Sequence, residues 1–251
     1  MDRESRLSRI ETLWSVVLRA HDGSNPNTAS AQEMLLEQYG GAIRRYLLAA
    51  LRSEDAANEV FQEFALKFVR GDFEKVSPDK GRFRQFVKTV IYRMIVDYQR
   101  KQKKNRRHKD LAEMQAAVDP TSDEQLDADF TNSWRDELLA RSWTALKERE
   151  SETGKPYYTI LRLRVDNPNL RSGEIAEQLS VKLGREIKSG NARVLVHRSR
   201  EIFAEFLLDF VAESLSDQSN EELELELISL DLLSYCRSAL DARKGEPKGK
   251  R

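Results

Sequence analysis

Residues 81–109 decide the fold, and they read GRFRQFVKTVIYRMIVDYQRKQKKNRRHK. Apolar residues recur at helical spacing through the first twenty of these positions, so the segment predicts a long amphipathic α-helix. Aromatic and arginine side chains alternate along it. They are Phe83, Phe86, Tyr92 and Tyr98, interleaved with Arg82, Arg84, Arg93 and Arg100.

The second half of this segment carries a run of positive charge with almost no acid to offset it. The whole chain holds 42 basic and 42 acidic residues, so its charge is sorted by position. Lys and Arg side chains follow a phosphate backbone, and aromatic faces stack on unpaired bases. The pattern therefore indicates nucleic-acid binding. The alternative is a solvated helix end followed by a flexible basic tail.

The composition is that of a helical protein. Of the 251 residues, 33% are charged, and only 11 are Gly and 6 are Pro. No apolar run approaches the roughly 20 residues that a membrane-spanning helix needs. The N-terminus lacks the apolar core of a signal peptide, so we expect a cytoplasmic protein without a membrane partner. Cys236 is the single cysteine, which excludes an intrachain disulfide and a multi-cysteine zinc site.

Three further helices are predicted in the N-terminal half. The first covers Glu11–Ala20. The second begins at Thr28 or Ser30 and contains Gly40-Gly41, where it is expected to bend. A third begins near Ser53, whose acidic neighbours suit a helix N-terminus, and continues to about Val69.

The C-terminal half contains a helix-turn-helix pattern. Helical spacing resumes at Trp134 and again after Pro156, and a helix over Ser172–Leu183 takes Ser172 as its cap and Gly184 as its end. A basic helix starts near Ser189. The turn over residues 184–188 is longer than the usual 3–4 residues. An antiparallel helix pair within a helical domain is the alternative for this segment.

The sequence thus predicts an all-α protein with two helical domains. The first covers residues 1–109, an acidic linker with Pro120 covers 110–131, and the second domain covers 132–215. A C-terminal extension over 216–251 is expected to hold a helix over Glu221–Leu240 and a disordered tail from Arg243.

Motifs for enzymatic chemistry are absent from the sequence. It has no phosphate-cradling glycine loop, no nucleophile elbow, and no metal-ligand spacing around its three histidines. We therefore expect a binding protein, with neither an enzymatic activity nor a cofactor or metal.

Four short motifs together resemble one protein family. Residues 54–64 read EDAANEVFQEF, residues 96–101 read VDYQRK, residues 174–179 read EIAEQL and residues 197–201 read HRSRE. In this order they resemble regions 2 and 4 of the extracytoplasmic-function (ECF) sigma factors of bacterial RNA polymerase. The chain departs from the family at Tyr92-Arg93, where an Arg-Asn pair is common. It also resembles a sub-group with an extended region 4 turn and a C-terminal extension.

The resemblance implies a sigma factor that binds core RNA polymerase and promoter DNA, and it leaves open whether an anti-sigma factor exists. The residues that it implies for polymerase binding are Glu59, Gln62, Glu63 and Phe64. Those for the minus-ten element are Lys80, Arg82, Phe83, Arg84, Phe86, Arg93 and Arg100. Those for the minus-thirty-five element are Lys188, Asn191, Arg193, His197 and Arg198.

Two other function classes stay open from the residues alone. One is a stand-alone helix-turn-helix regulator, which normally binds paired half-sites as a dimer. The other is an RNA-binding or nucleic-acid-processing enzyme that uses the basic helix. Two different DNA-contacting segments in one chain favour the sigma factor over a simple regulator, which needs only one.

Overall fold

A computed structural model describes residues 28–70, 72, 82–109 and 123–245, and within these residues all regular secondary structure is α-helical, as the sequence predicts. The helices are α1 (Thr28–Leu51), α2 (Glu54–Arg70), α3 (Phe83–Lys109), α4 (Asp123–Thr153), α5 (Tyr157–Asp166), α6 (Ser172–Leu183), α7 (Ser189–Glu213), α8 (Asn220–Ser229) and α9 (Leu233–Gly245). The helix predicted over Glu11–Ala20 lies outside the described residues, as does Lys80.

The chain forms two compact units. The first contains the described residues up to Glu137 together with Ala212–Gln218. The second contains Leu138–Val211 and the described residues from Ser219 onward.

In the first unit, helices α1 and α2 approach closely at Gly40. A Cβ atom at this position would lie 3.1 Å from the Phe61 ring, so the missing side chain makes room for that ring. Helix α1 continues through Gly40-Gly41 without interruption. The glycine pair therefore serves helix packing. At the start of α2, the Ser53 hydroxyl accepts the Ala56 N–H at 3.3 Å, and the first-turn acids Glu54 and Asp55 complement the helix dipole.

Aromatic side chains form the core of the first unit. Tyr39 of α1 stacks on Trp134 of α4, with ring centroids 4.4 Å apart, and meets the Phe83 ring edge-on at 5.9 Å. Phe130 packs between Trp134 and Tyr46, and all five rings are almost completely buried. Each such ring typically buries about 150–250 Å² of largely apolar surface, so the cluster is a substantial part of the apolar core of the unit.

Helix α4 begins inside the predicted linker. Residues 123–131, within the linker that the sequence predicts over 110–131, are helical. Phe130 and Trp134 provide the reason, because a helix here places both rings in the core of the first unit. The amino-acid composition of this segment reflects its acidic residues, and it does not reveal that Phe130 and Trp134 hold the helix in the core.

The second unit gives its short helices well-defined N-termini. Glu150 of α4 accepts the Thr159 backbone N–H at 2.8 Å and its hydroxyl at 2.6 Å, which caps α5 from outside the helix. At α6 the predicted cap Ser172 is instead the first helical residue. The N-cap is Arg171, whose N–H donates to the Glu174 carboxylate at 2.6 Å.

The C-terminal extension is a helix pair rather than the single helix predicted over 221–240. Helix α8 ends at Ser229, and the chain reverses through Asp231, which has a φ of 56°. Leu230 and Leu232 on either side of this residue are both buried, although on a continuous helix two residues at this spacing would point about 200° apart. Arg243, predicted to lie in a disordered tail, belongs to α9.

Candidate nucleic-acid interface

Helix α2 has one exposed outer face with both polar and apolar residues. Glu59 and Gln62 are exposed, and Leu66 and Val69 continue the same face at helical spacing with exposed fractions of 48% and 50%. We call these four residues the α2 outer face. Leu66 and Val69 are not among the predicted site residues. Both lie outside the apolar stripe that α2 buries, and their helical spacing from Glu59 and Gln62 indicates this exposed position in the sequence.

Glu63 lies beside the α2 outer face and is engaged within its own helix. Its carboxylate accepts from the Lys67 ammonium at 2.9 Å, an i,i+4 pair. This hydrogen bond, together with the charges of Lys67 and Lys101, holds the pKa of Glu63 below its ordinary value. Glu63 is therefore an anion at neutral pH, but part of its charge is balanced locally.

Phe64, the fourth residue expected to bind polymerase, points into the first unit. It is 4% exposed and its ring stacks on Phe68 with centroids 6.2 Å apart. The position supports the helix that carries the α2 outer face, and the ring itself is not available to a partner on that face.

The residues expected to contact the minus-ten element divide into buried and exposed groups. Phe83 and Arg84 are only 1% and 2% exposed, and Arg84 donates to the Thr131 hydroxyl at 3.2 Å. Phe86 and Arg82 are half-buried. Arg93 and Arg100 are exposed on α3.

The buried position of Phe83 changes the interpretation of the aromatic-arginine pattern. Phe83 lies on the apolar stripe of α3, and its ring packs 6.2 Å from that of Trp134. An extruded base could reach this ring only if the core opened. Of the aromatic residues on α3, Tyr92 offers the most accessible ring, at 39% exposed, and it directly precedes Arg93.

The exposed side of α3 is basic. Besides Arg93 and Arg100, the side chains of Lys101, Lys103 and Lys104 are exposed, while Asp97 lies 4.0 Å from Arg100. A row of cations of this kind attracts a phosphate backbone with a strong dependence on salt. Together with Tyr92 it offers both features that bind single-stranded nucleic acid, charge along the backbone and a stacking surface.

In the second unit, α6 and α7 follow one another across the turn over residues 184–188, the segment for which the sequence predicts a helix-turn-helix. Helices α5, α6 and α7 share a core that includes Ile160, Leu163, Ile175, Leu179 and Ala192. The long turn between α6 and α7 is well anchored. Gly184 takes a φ of 63°, and the Ile187 N–H donates to the Ser180 hydroxyl at 2.8 Å.

The residues expected to read the minus-thirty-five element lie in the first turns of α7, apart from Lys188, which directly precedes the helix. All of them are exposed, as the reading of a DNA groove requires: Lys188, Asn191, Arg193, His197 and Arg198. Two exposed apolar side chains accompany them, Val194 on α7 and Val181 on α6.

The part of the chain that the structure describes contains no group of three or more His, Cys, Asp or Glu side chains arranged to hold a metal ion. Cys236 is buried, and desolvation raises the pKa of its thiol to about 12. Among the helices whose residues are described, none combines the length and the apolar character that crossing a bilayer demands.

Comparison with known families identifies one match. Residues 35–105 match the family model of Sigma-70 region 2, a range that takes in most of α1, all of α2 and most of α3. The first unit therefore contains a segment similar to the part of sigma factors known as region 2, which supports a relationship to the sigma-factor family. No curated protein and no solved structure matches the chain significantly.

Proposed function

We propose that this protein is an ECF-type sigma factor that binds core RNA polymerase and directs promoter recognition, promoter melting and the start of transcription. The observation that carries the proposal is the match of residues 35–105 to Sigma-70 region 2, over the helices that display the α2 outer face and the basic side of α3. The protein acts without a catalytic site or cofactor of its own, in the cytoplasm, where polymerase and DNA are found.

Each of the two units has a role in this proposal. The α2 outer face offers the carboxylate of Glu59 and the amide of Gln62 next to exposed apolar side chains, a combination suited to a polymerase helix with basic and apolar residues. The basic side of α3 with Tyr92 holds the melted strand at the minus-ten element. The α6–α7 pair places the N-terminal residues of α7 in the major groove at the minus-thirty-five element.

A pull-down with purified core polymerase, followed by transcription from a promoter library, tests the proposal. We expect the chain to co-purify with core enzyme and to start transcripts from a subset of promoters that core enzyme alone does not use. Binding to duplex DNA without any association with core polymerase would overturn the proposal and favour a stand-alone helix-turn-helix regulator.

A further inference from the structure

The second unit contains a small cleft enclosed by α5, α6 and α7. Its volume is about 240 Å³. Its apolar residues are buried or half-buried, its cationic residues are half-buried or exposed, and no acidic side chain lines it. The lining residues are Arg164, Ser172, Ile175, Ala192, Arg193, Val196, His197 and Arg200.

The cations come from two elements. Arg164 projects from α5, and its guanidinium is held in place by donating to the Leu170 carbonyl. Arg193, His197 and Arg200 lie on one flank of α7, at spacings of four and three residues. Of these, His197 also approaches an acid, since its Nε2 lies 3.7 Å from Glu201 Oε1.

The exposed residues of α7 lie on two flanks of the helix, and only one flank faces the cleft. Arg193, His197 and Arg200 face the cleft. Asn191 and Arg198, seven residues apart, lie on the opposite flank of the same helix. Residues on opposite flanks cannot all approach the same base edges, so the five residues expected to read the minus-thirty-five element do not form one set.

We propose that the cleft binds a phosphate group of the DNA backbone, held by Arg164, Arg193 and Arg200, and that base reading falls to Asn191 and Arg198. The proposal rests on the proposed function, and it assigns Arg193 to backbone positioning rather than to sequence recognition. Guanidinium groups match phosphate oxygens in geometry and charge. Backbone contacts fix the register in which a neighbouring flank meets the bases.

The size of the cleft favours a single phosphate group. Pockets for small organic ligands typically measure about 300–1,000 Å³, and this cleft lies below that range. The same chemistry would accept the phosphate of a free phosphorylated molecule, so the experiment must separate the two sources.

The experiment measures binding of the full chain to promoter duplexes selected from a pool randomised at the upstream element, over a series of salt concentrations. For R164Q/R200Q we expect weaker binding to all sequences alike and a salt slope reduced by about 0.9, the value for one lost backbone phosphate. R193Q should behave in the same way. N191A and R198A should relax the sequence preference instead.

Lys147→Gln is the control, matched in charge to R193Q, because Lys147 is exposed in the second unit and does not line the cleft. It removes one positive charge without touching the site, and its salt slope should match that of wild type. The proposal is overturned if R164Q/R200Q matches K147Q, or if R193Q shifts the preferred bases while keeping the wild-type slope.

Calorimetry with inorganic phosphate and pyrophosphate separates the two sources. Binding at a DNA phosphate predicts no saturable uptake of either anion at millimolar concentration. Saturable uptake that R164Q/R200Q abolishes, with an unchanged DNA salt slope, overturns the DNA assignment in favour of a free phosphorylated ligand. These measurements omit polymerase. A failure of the proposed function would therefore appear in the pull-down, and the test of phosphate binding in the cleft could still be interpreted.

Discussion

The guanidinium of Arg243 in α9 donates to Asp209 Oδ1 of α7 at 2.6 Å and, from the same nitrogen, to the Glu205 carbonyl at 3.2 Å. The side chains of the pair are only 15% and 14% exposed. This contact connects the end of the C-terminal extension to α7, the helix that carries the residues proposed to contact DNA. The extension is therefore an integral part of the second unit, which the sequence alone did not indicate.

Loss of this pair should destabilise the second unit. Arg243→Ala leaves the partly buried Asp209 carboxylate without its partner, and loss of a hydrogen bond between charged groups typically costs about 1.5–3 kcal/mol. Thermal unfolding of the full chain should show a lower transition temperature for R243A than for wild type. Arg237→Ala is the control, because Arg237 pairs with Glu224 at an exposed site where about 0–1 kcal/mol is expected. Equal effects of R243A and R237A on the transition temperature would contradict the assignment of the Arg243–Asp209 pair as a stabilising contact.

Polymerase binding should depend on the α2 outer face. Glu59→Lys, which reverses a charge, combined with Gln62→Lys, which adds one, should lower co-purification with core enzyme several-fold, because a basic partner would meet two new cations. Exposed substitutions of this kind rarely change stability by more than about 0.5 kcal/mol, so the melting temperature should stay close to that of wild type. We leave Glu63 unchanged because it stabilises its own helix through Lys67.

The control for this experiment is Glu177→Lys, which reverses an exposed acid on α6 in the second unit. It should leave co-purification intact. If the α2 double variant retained as much core enzyme as E177K, polymerase would have to bind elsewhere.

Helix α2 shows what the sequence can predict. Ser53, the acids that follow it and a clear apolar stripe from Val60 to Phe68 all indicate the same helix, and the structure places it at Glu54–Arg70. Agreement between capping, charge and periodicity is what makes such a segment readable.

Phe83 shows where a sequence pattern is ambiguous. Interleaved aromatic and arginine residues look the same whether the aromatic side chains face solvent or the core. The i,i+4 spacing of Phe83, Val87 and Ile91 marked a buried stripe, and Tyr92 fell outside it. The contact of Phe83 with Tyr39 and Trp134 could not be predicted in the same way, because it depends on the tertiary arrangement of three helices.

The Cys236 thiol should be unreactive in the folded protein. Burial raises its pKa to about 12 from the ordinary value of 9.0, so it stays protonated at the pH of a standard thiol assay. We expect labelling by a thiol reagent at pH 8 only after a denaturant is added. Stability should fall as pH rises above about 9, because the unfolded chain then loses this proton and the folded one retains it. Fast labelling of the native protein would show that the helix pair opens readily.

Promoter melting should depend on the Tyr92 ring rather than on Phe83. Tyr92→Ala should reduce permanganate reactivity of the melted strand, since stacking of a base on an aromatic ring contributes about 1–3 kcal/mol. Tyr92→Phe keeps the ring and should keep the reactivity. Phe83→Ala should instead lower the free energy of unfolding of the first unit by about 3–5 kcal/mol, because it leaves a cavity between Tyr39 and Trp134. Thermal unfolding measured beside the footprint separates the two effects. A wild-type footprint for Y92A at a temperature where the variant is fully folded would remove Tyr92 from the melting surface.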